Sequence, residues 1–235
     1  MNRQLPTPLP IRWTMKPLAS ARTTYSVLPF GSYELTIDHD LVRGVTPAML
    51  LWWFRHIGGT MTYRGETYSR YRVWHPLDHV HWSMTNPAPD GGAQVGSRFR
   101  IVEAFGRDAA CYVDSVETVV KLDEEGIRLV RRELGQEVFS LQHWFEATPG
   151  GTLYRSRMQV GAENPVGQYL LNPLLHRFLF TRAMGNAWLK HNIEEVGNFE
   201  QFLPELYAVS GQQADGESSP DYPCCTNGPV GIAHS

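Results

Sequence analysis

Hydrophobic and polar positions change their spacing twice along the chain. Up to about residue 30 no period is sustained, and Pro6, Pro8, Pro10, Pro17 and Pro29 interrupt every local pattern. Residues 1–29 are therefore expected to be an extended arm. Thr46-Pro-Ala-Met-Leu-Leu-Trp-Trp-Phe-Arg-His56 then predicts a helix. Thr46 suits the N-cap, Pro47 sits where its missing N–H costs nothing, and Gly58-Gly59 ends the run. Strand-like runs follow: Tyr68 to Trp82, Ser97 to Phe105, Cys111 to Leu122, Ile127 to Leu134, Val138 to Ala147 and Thr152 to Gly161. The turn clusters Asn86 to Gly92, Asp123 to Gly126 and Thr148 to Gly151 join neighbouring runs as in hairpins. From Pro173 to Tyr207, Leu, Phe, Met and Trp recur at three and four, which predicts a long helix interrupted at Pro204. The order of short helix, about six antiparallel strands and long helix predicts an α+β grip. In it, a curved antiparallel sheet wraps around the late helix and leaves a cavity between them. The domain is expected at residues 30–208, and the Gly-, Ser- and Pro-rich residues 209–235 as a flexible tail that buries too little surface to offset its ordering entropy.

Composition narrows the partners. The chain has 235 residues, 42% hydrophobic and 19% charged, which is ordinary for a globular domain. Twenty-one basic against 24 acidic side chains give a net charge of −3, so no basic field favours nucleic acid or an anionic membrane. The apolar run Ala48 to Phe54 is far short of the roughly 20 residues of a membrane span. The proline- and arginine-broken beginning has no secretory h-region. Cys111, Cys224 and Cys225 form neither a disulfide framework nor a CxxC knuckle, so a cytoplasmic setting is expected.

The informative residues are titratable groups that share a face with apolar ones. Alternation puts Phe99, Ile101, Glu103 and Phe105 together, so Glu103 points towards the core. A carboxylate there is costly unless it is paired or binds a metal. A Glu paired with a neighbouring arginine is the simplest structural account. In Tyr71-Arg-Val-Trp-His-Pro-Leu-Asp-His79, a continuous strand would align Tyr71, Val73, His75, Leu77 and His79, with Glu103 roughly opposite residue 77. Either His75 or His79 then reaches it. On the late helix His191 and Glu195 are four apart, one turn along a stripe shared with Met184, Trp188 and Phe199, while Glu194 lies beside Lys190 on the solvent side. As a bare pair this spacing is common on surfaces. Together with Glu103 and a histidine it makes two imidazoles and two carboxylates, a set that suits one Zn²⁺ per chain, with Fe²⁺ or Mn²⁺ as neighbours in chemistry. His143 alternates with Phe139, Leu141 and Phe145, and Tyr154 with Ser156, Met158 and Val160, on adjacent strands. A core tyrosine is the plainer reading of Tyr154.

These pieces, with Phe202-Leu-Pro-Glu-Leu-Tyr207 and the early Val45 to Phe54, resemble the 2,4-diacetylphloroglucinol hydrolase family, which includes phloretin hydrolase. The likeness covers about residues 30–208. It implies a helix-grip fold like that of the birch-pollen allergen and a zinc-dependent hydrolase of the carbon–carbon bond between an acyl group and a polyphenol ring. It also implies zinc ligands at His79 (or His75), Glu103, His191 and Glu195, and substrate contacts at His143, Tyr154 and Tyr71. His143 is expected to transfer the proton, because imidazole titrates near neutral pH. The expected partner is a small aromatic polyketide or acylphenol, with a homodimer left open. Two rival readings share the architecture: a non-catalytic carrier of a hydrophobic molecule, and a metal-free polyketide cyclase.

Overall fold

The computed structural model describes residues 5–213 together with Pro223 and Cys224. In chain order the strands are β1 (Arg22–Val27), β2 (Tyr33–Asp38), β3 (Val42–Arg43), β4 (Thr60–Tyr63), β5 (Glu66–Ser69) and β6 (His79–Thr85). They continue with β7 (Arg98–Ala104), β8 (Tyr112–Asp123), β9 (Gly126–Glu133), β10 (Gln136–Thr148) and β11 (Gly151–Val160). The helices are α1 (Pro47–His56), α2 (Arg70–Trp74), α3 (Asn172–Phe178) and α4 (Arg182–Gln213). One antiparallel sheet runs β1-β2-β11-β10-β9-β8-β7-β6, with β3 added to β11, and β4 pairs with β5 in a separate hairpin. This is the α+β grip expected from the spacing: α4 lies along the inner side of the sheet.

Local chemistry accounts for the helix ends. The Thr46 hydroxyl accepts from the Met49 N–H at 3.3 Å and Pro47 opens α1. The Thr181 hydroxyl accepts from the Met184 N–H at 3.2 Å and starts α4. The late helical region therefore breaks at residues 179–181 and not at Pro204, which lies inside α4. Proline there removes one backbone hydrogen bond, a cost of about 3 kcal/mol in an isolated helix. Fully buried Phe202, Leu203 and Leu206 surround it, and each such side chain contributes about 1.5–3 kcal/mol by leaving water. Packing wins over propensity.

Three further expectations change. The run from Tyr68 to Trp82 is not one strand: β5 ends at Ser69, α2 follows, and the His75 carbonyl accepts from the His79 N–H at 3.2 Å in a turn before β6. Pro76 cannot donate to a ladder, and buried Arg70 is held by the carbonyls of Thr60 and His56 at 3.0 and 2.8 Å, which fixes the chain in a helical turn. The arm is extended but does not stand apart from the domain. Leu9 and Ile11 are buried, Trp13 stacks on Phe202, and residues 22–27 are an edge strand of the main sheet. At the other end α4 runs on to Gln213, past the expected start of the tail at 209; residues 214–222 and 225–235 lie outside the described residues.

Candidate metal centre

His79 opens β6 directly opposite Glu103 on β7, so the ladder itself brings the two together. The expected alignment with residue 77 is corrected by two positions, because the chain before His79 is turned rather than extended. The third and fourth groups come from α4, where one turn separates His191 from Glu195. The Nε2 atom of His79 is 3.3 Å from Glu103 Oε1 and 3.3 Å from Glu195 Oε2. His191 Nε2 is 3.8 Å from Glu103 Oε2 and 3.6 Å from Glu195 Oε2. One donor atom from each of the four residues lies within 4.8 Å of the others.

The opposite edge of each imidazole is held. His79 Nδ1–H donates to the Tyr71 carbonyl at 2.6 Å, and His191 Nδ1–H donates to Asp78 at 3.0 Å. That leaves both Nε2 atoms facing inward, and neither has a hydrogen-bond partner among the described residues. Two orphaned, buried imidazole nitrogens facing two carboxylates are what a divalent cation, displacing the proton that His191 holds, would satisfy. The carboxylates are held as well: Glu103 Oε1, the oxygen that faces His79, also accepts from the Tyr71 hydroxyl, and the other oxygen of Glu195, Oε1, accepts from the Asn192 amide.

Electrostatics point the same way. Burial, followed by the neighbouring His191 and His75, pushes His79 well below the ordinary histidine value and keeps it neutral. Burial and the adjacent Glu103 raise Glu195 to about 8, although His191 opposes this. Burial would lower His191, but the Asp78 hydrogen bond and the charges of Glu103, Glu195 and Asp78 bring it up to about 9. Asp78 resists its own burial through His191 and drops to about 2. Without a cation, the cluster thus retains protons that a cation would displace.

His75 is not in this group of four. Its Nε2 faces Glu194 at 3.4 Å, its Nδ1 accepts from the Asp78 N–H at 3.2 Å, and its ring stacks on His191 with centroids 4.5 Å apart. It belongs to a second set, His75, Asp78 and His191, behind the first. Glu194 keeps its partner Lys190 at 2.6 Å but is buried against His75, not on the solvent side.

The cluster opens on a cavity of about 500 Å³ between α4 and the sheet. Trp74, Phe99, Phe105 and Trp188 line it, as do Tyr71 and His143. His143 Nδ1 is 2.9 Å from the Ser156 hydroxyl. Burial lowers His143 to about 3, so its imidazole is neutral at physiological pH and does not titrate near it as expected from the residue type. Tyr154 is buried 5.2 Å from His143, ring to ring, but does not line the cavity. Two contributors escaped the sequence reading. His39 hydrogen-bonds Ser156 at 2.9 Å, so that Ser156 bridges two histidines. Glu117 is a buried carboxyl lining the cavity, and the test that singled out Glu103 would have found it.

The helix grip thus places a buried pair of histidines and a pair of glutamates, a set that could hold a metal ion, at one end of a largely apolar cavity. The model of one family, the DAPG hydrolase PhiG domain, matches residues 87–208, just over half of the chain. The chain belongs to that family. The match includes Glu103, His143, Tyr154, His191 and Glu195, and begins after Tyr71 and His79. No curated protein matches the chain. Solved structures similar to it include the di-domain ARO/CYC BexL from the BE-7585A biosynthetic pathway, at 14% identity and TM-score 0.46, covering 74% of this chain and 50% of that one. Protein Ms6760 from Mycobacterium smegmatis has 11% identity and TM-score 0.44, with 76% and 96% covered. A conserved protein of unknown function, EF2215 from Enterococcus faecalis, has 9% identity and TM-score 0.40, with 74% and 76% covered.

Proposed function

We propose that the protein hydrolyses the carbon–carbon bond between an acyl group and a phloroglucinol-type ring, with Zn²⁺ held by His79, Glu103, His191 and Glu195. The observation that carries the reading is the pair of partnerless imidazole nitrogens facing two carboxylates at the end of an aromatic-lined cavity. A bound ion of this kind supplies Lewis acidity and brings the pKa of water towards about 7.

The reaction adds the elements of water: hydroxyl goes to the acyl carbon, giving a carboxylic acid, and a proton goes to the ring carbon, giving the deacylated phenol. The ring carbon leaves readily only after a ring hydroxyl ortho or para to the acyl group has ketonised, so the protein must hold ring hydroxyls and manage protons. Tyr71 is raised well above the usual phenol range by burial and by Glu103, so it stays protonated and donates to Glu103, fixing that carboxylate. His143, anchored at Nδ1 by Ser156, lines the cavity, where its neutral imidazole can hydrogen-bond a ring hydroxyl and relay that proton to the ring carbon. Trp74, Trp188, Phe99 and Phe105 offer stacking surface and exclude water. Tyr154 supports this wall from behind, packed on His143 and Phe145. A carrier or a metal-free cyclase would have no use for the orphaned nitrogens.

Elemental analysis and acylphloroglucinol cleavage in wild type, Glu103→Ala and Glu195→Ala test the reading. Zinc is expected at one per chain in the wild type and lost from both variants together with turnover. Full metal content and full turnover in both variants would refute it.

A further inference from the structure

Glu117 has no role in the site described above, yet it is the kind of group that a fold tolerates only for a reason. It sits in β8 on the face that carries Val113 and Ser115, and only 3% of its surface is exposed. One carboxylate oxygen accepts from the Ser115 hydroxyl; the other, Oε2, is buried and has no hydrogen-bond partner among the described residues. The side chain lines the same cavity as Glu103 and His143. An unsatisfied buried carboxyl is destabilising, and leucine at that position would avoid the cost.

Register fixes where this group stands relative to the four-ligand cluster. Glu103 pairs with Val113, and Phe99 pairs with Glu117. Glu117 is therefore four residues further along the sheet than Glu103, about 13 Å at the rise of an extended strand. The wall from Glu103 to Glu117 is mainly apolar, formed by Ile101, Phe99 and Trp82, with the Ser115 hydroxyl turned onto Glu117. The cavity is thus polar at its two ends and aromatic in the middle, and one hydroxylated ring with its acyl carbon, hydrogen-bonded at both poles, spans that interval.

We propose that Glu117 binds the ring hydroxyl para to the acyl group and restricts the enzyme to acylphenols that carry one. This rests on the acylphenol reading of the site and adds to it the orientation of the ring: acyl group towards His79 and His191, para hydroxyl towards β8. Burial raises the Glu117 carboxyl to about 7, with Ser115 and Arg131 pulling it down and Glu103 pushing it up, so it can donate to a phenolate or accept from a phenol in the neutral range. Arg131, whose guanidinium is 2.7 Å from Glu133, lies on the same wall and adds positive charge on that side.

Calorimetric titration of the zinc-loaded protein with 2,4,6-trihydroxyacetophenone and with 2,6-dihydroxyacetophenone, which lacks only the para hydroxyl, tests this. The wild type is expected to prefer the first by at least tenfold, since a site built around a hydroxyl leaves its own polar group unpaired when the hydroxyl is missing. Glu117→Leu is expected to bind both alike, keep its zinc and unfold at a higher temperature; Glu117→Gln, nearly isosteric, retains part of the preference. Equal binding of the two by the wild type, or a preference that survives in Glu117→Leu, overturns the inference while the hydrolase reading stands. Preferential binding without cleavage supports the inference and sinks the hydrolytic reading. Failure of the wild type to bind either compound overturns both.

Discussion

Replacing Asp78 with asparagine removes one buried charge and almost no volume, and so isolates what that charge does for His191. A single oxygen of Asp78 accepts from His191 Nδ1–H at 3.0 Å and from the Gly106 N–H at 2.8 Å. An amide oxygen in the same place preserves both contacts, so the fold should survive. What disappears is the negative charge that makes His191 a better donor at Nε2. Supporting groups of this kind are worth about 10–100-fold in metal affinity, or about 1.4–2.8 kcal/mol. A second effect opposes the first. In the metal-free wild type His191 is held at about 9, so at pH 7 a cation must displace its proton, which weakens apparent binding by a factor of about 100. The asparagine variant relaxes that competition. The net expectation is a full 10–100-fold loss of zinc affinity near pH 9.5, a much smaller loss at pH 7, and a flatter dependence of log Kd on pH in the variant. Competition titration against a chromogenic chelator at several pH values reads this directly. Wild-type affinity at pH 9.5, or a loss that is the same at both pH values, would refute the argument that Asp78 acts through the basicity of His191.

Other consequences follow from the same geometry. In protein stripped of metal, Glu117, Glu195 and His191 have folded values of about 7, 8 and 9, all above their unfolded ones, so the native state binds the extra protons and their contribution is lost as pH rises. Thermal unfolding with chelator should therefore occur at a lower temperature at pH 8.5 than at pH 6.5, and excess zinc should reverse the order. His143→Gln, which can still meet the Ser156 hydroxyl, is expected to keep full zinc but lose about 10²–10⁴-fold in kcat for acylphloroglucinol cleavage; an unchanged kcat would remove His143 from the proton path. Trp53 is fully buried against Phe199, Phe202 and Trp74, and Trp53→Ala should cost about 3–5 kcal/mol in urea unfolding without altering the zinc affinity of the folded protein.

Much of the site was legible because two of its pairs obey strict local periods. Glu103 sits between Phe99, Ile101 and Phe105 at a spacing of two, and His191 stands one turn from Glu195; backbone geometry alone aims each set at one face. The choice between His75 and His79 was not legible for the complementary reason. It depends on whether residues 75–78 are extended or turned, and their apolar pattern satisfies both periods, so only Pro76 hints at the answer. The contacts of buried Arg70 and the Asp78 backbone, both long-range, decide it. β1 was missed because an edge strand facing solvent, Arg-Thr-Thr-Tyr-Ser-Val, carries no apolar alternation to see. The tolerance of Pro204 likewise depends on neighbours that only the folded core supplies. Asn192 and His39, which complete the hydrogen-bond chains around Glu195 and Ser156, announce themselves by no spacing at all.

The distribution of charge separates an enzyme from a container of the same shape. A pocket made only to enclose a hydrophobic molecule is most stable when its wall is apolar throughout, since every buried carboxyl costs desolvation that the ligand does not return. Here the wall around one cavity keeps Glu103, Glu117 and Glu195, with Asp78 just behind, and places two imidazoles so that their Nε2 atoms face the first and third of these. The fold sustains this because apolar packing grips α4 along both halves: Trp53, Phe199, Phe202 and Leu206 pack its far half against α1, and Met184, Trp188, Leu189 and Ile193 join a second core nearer its start, around the ligands. Packing along the whole helix holds His191 and Glu195 in place, so the cost of the buried carboxyls is borne locally.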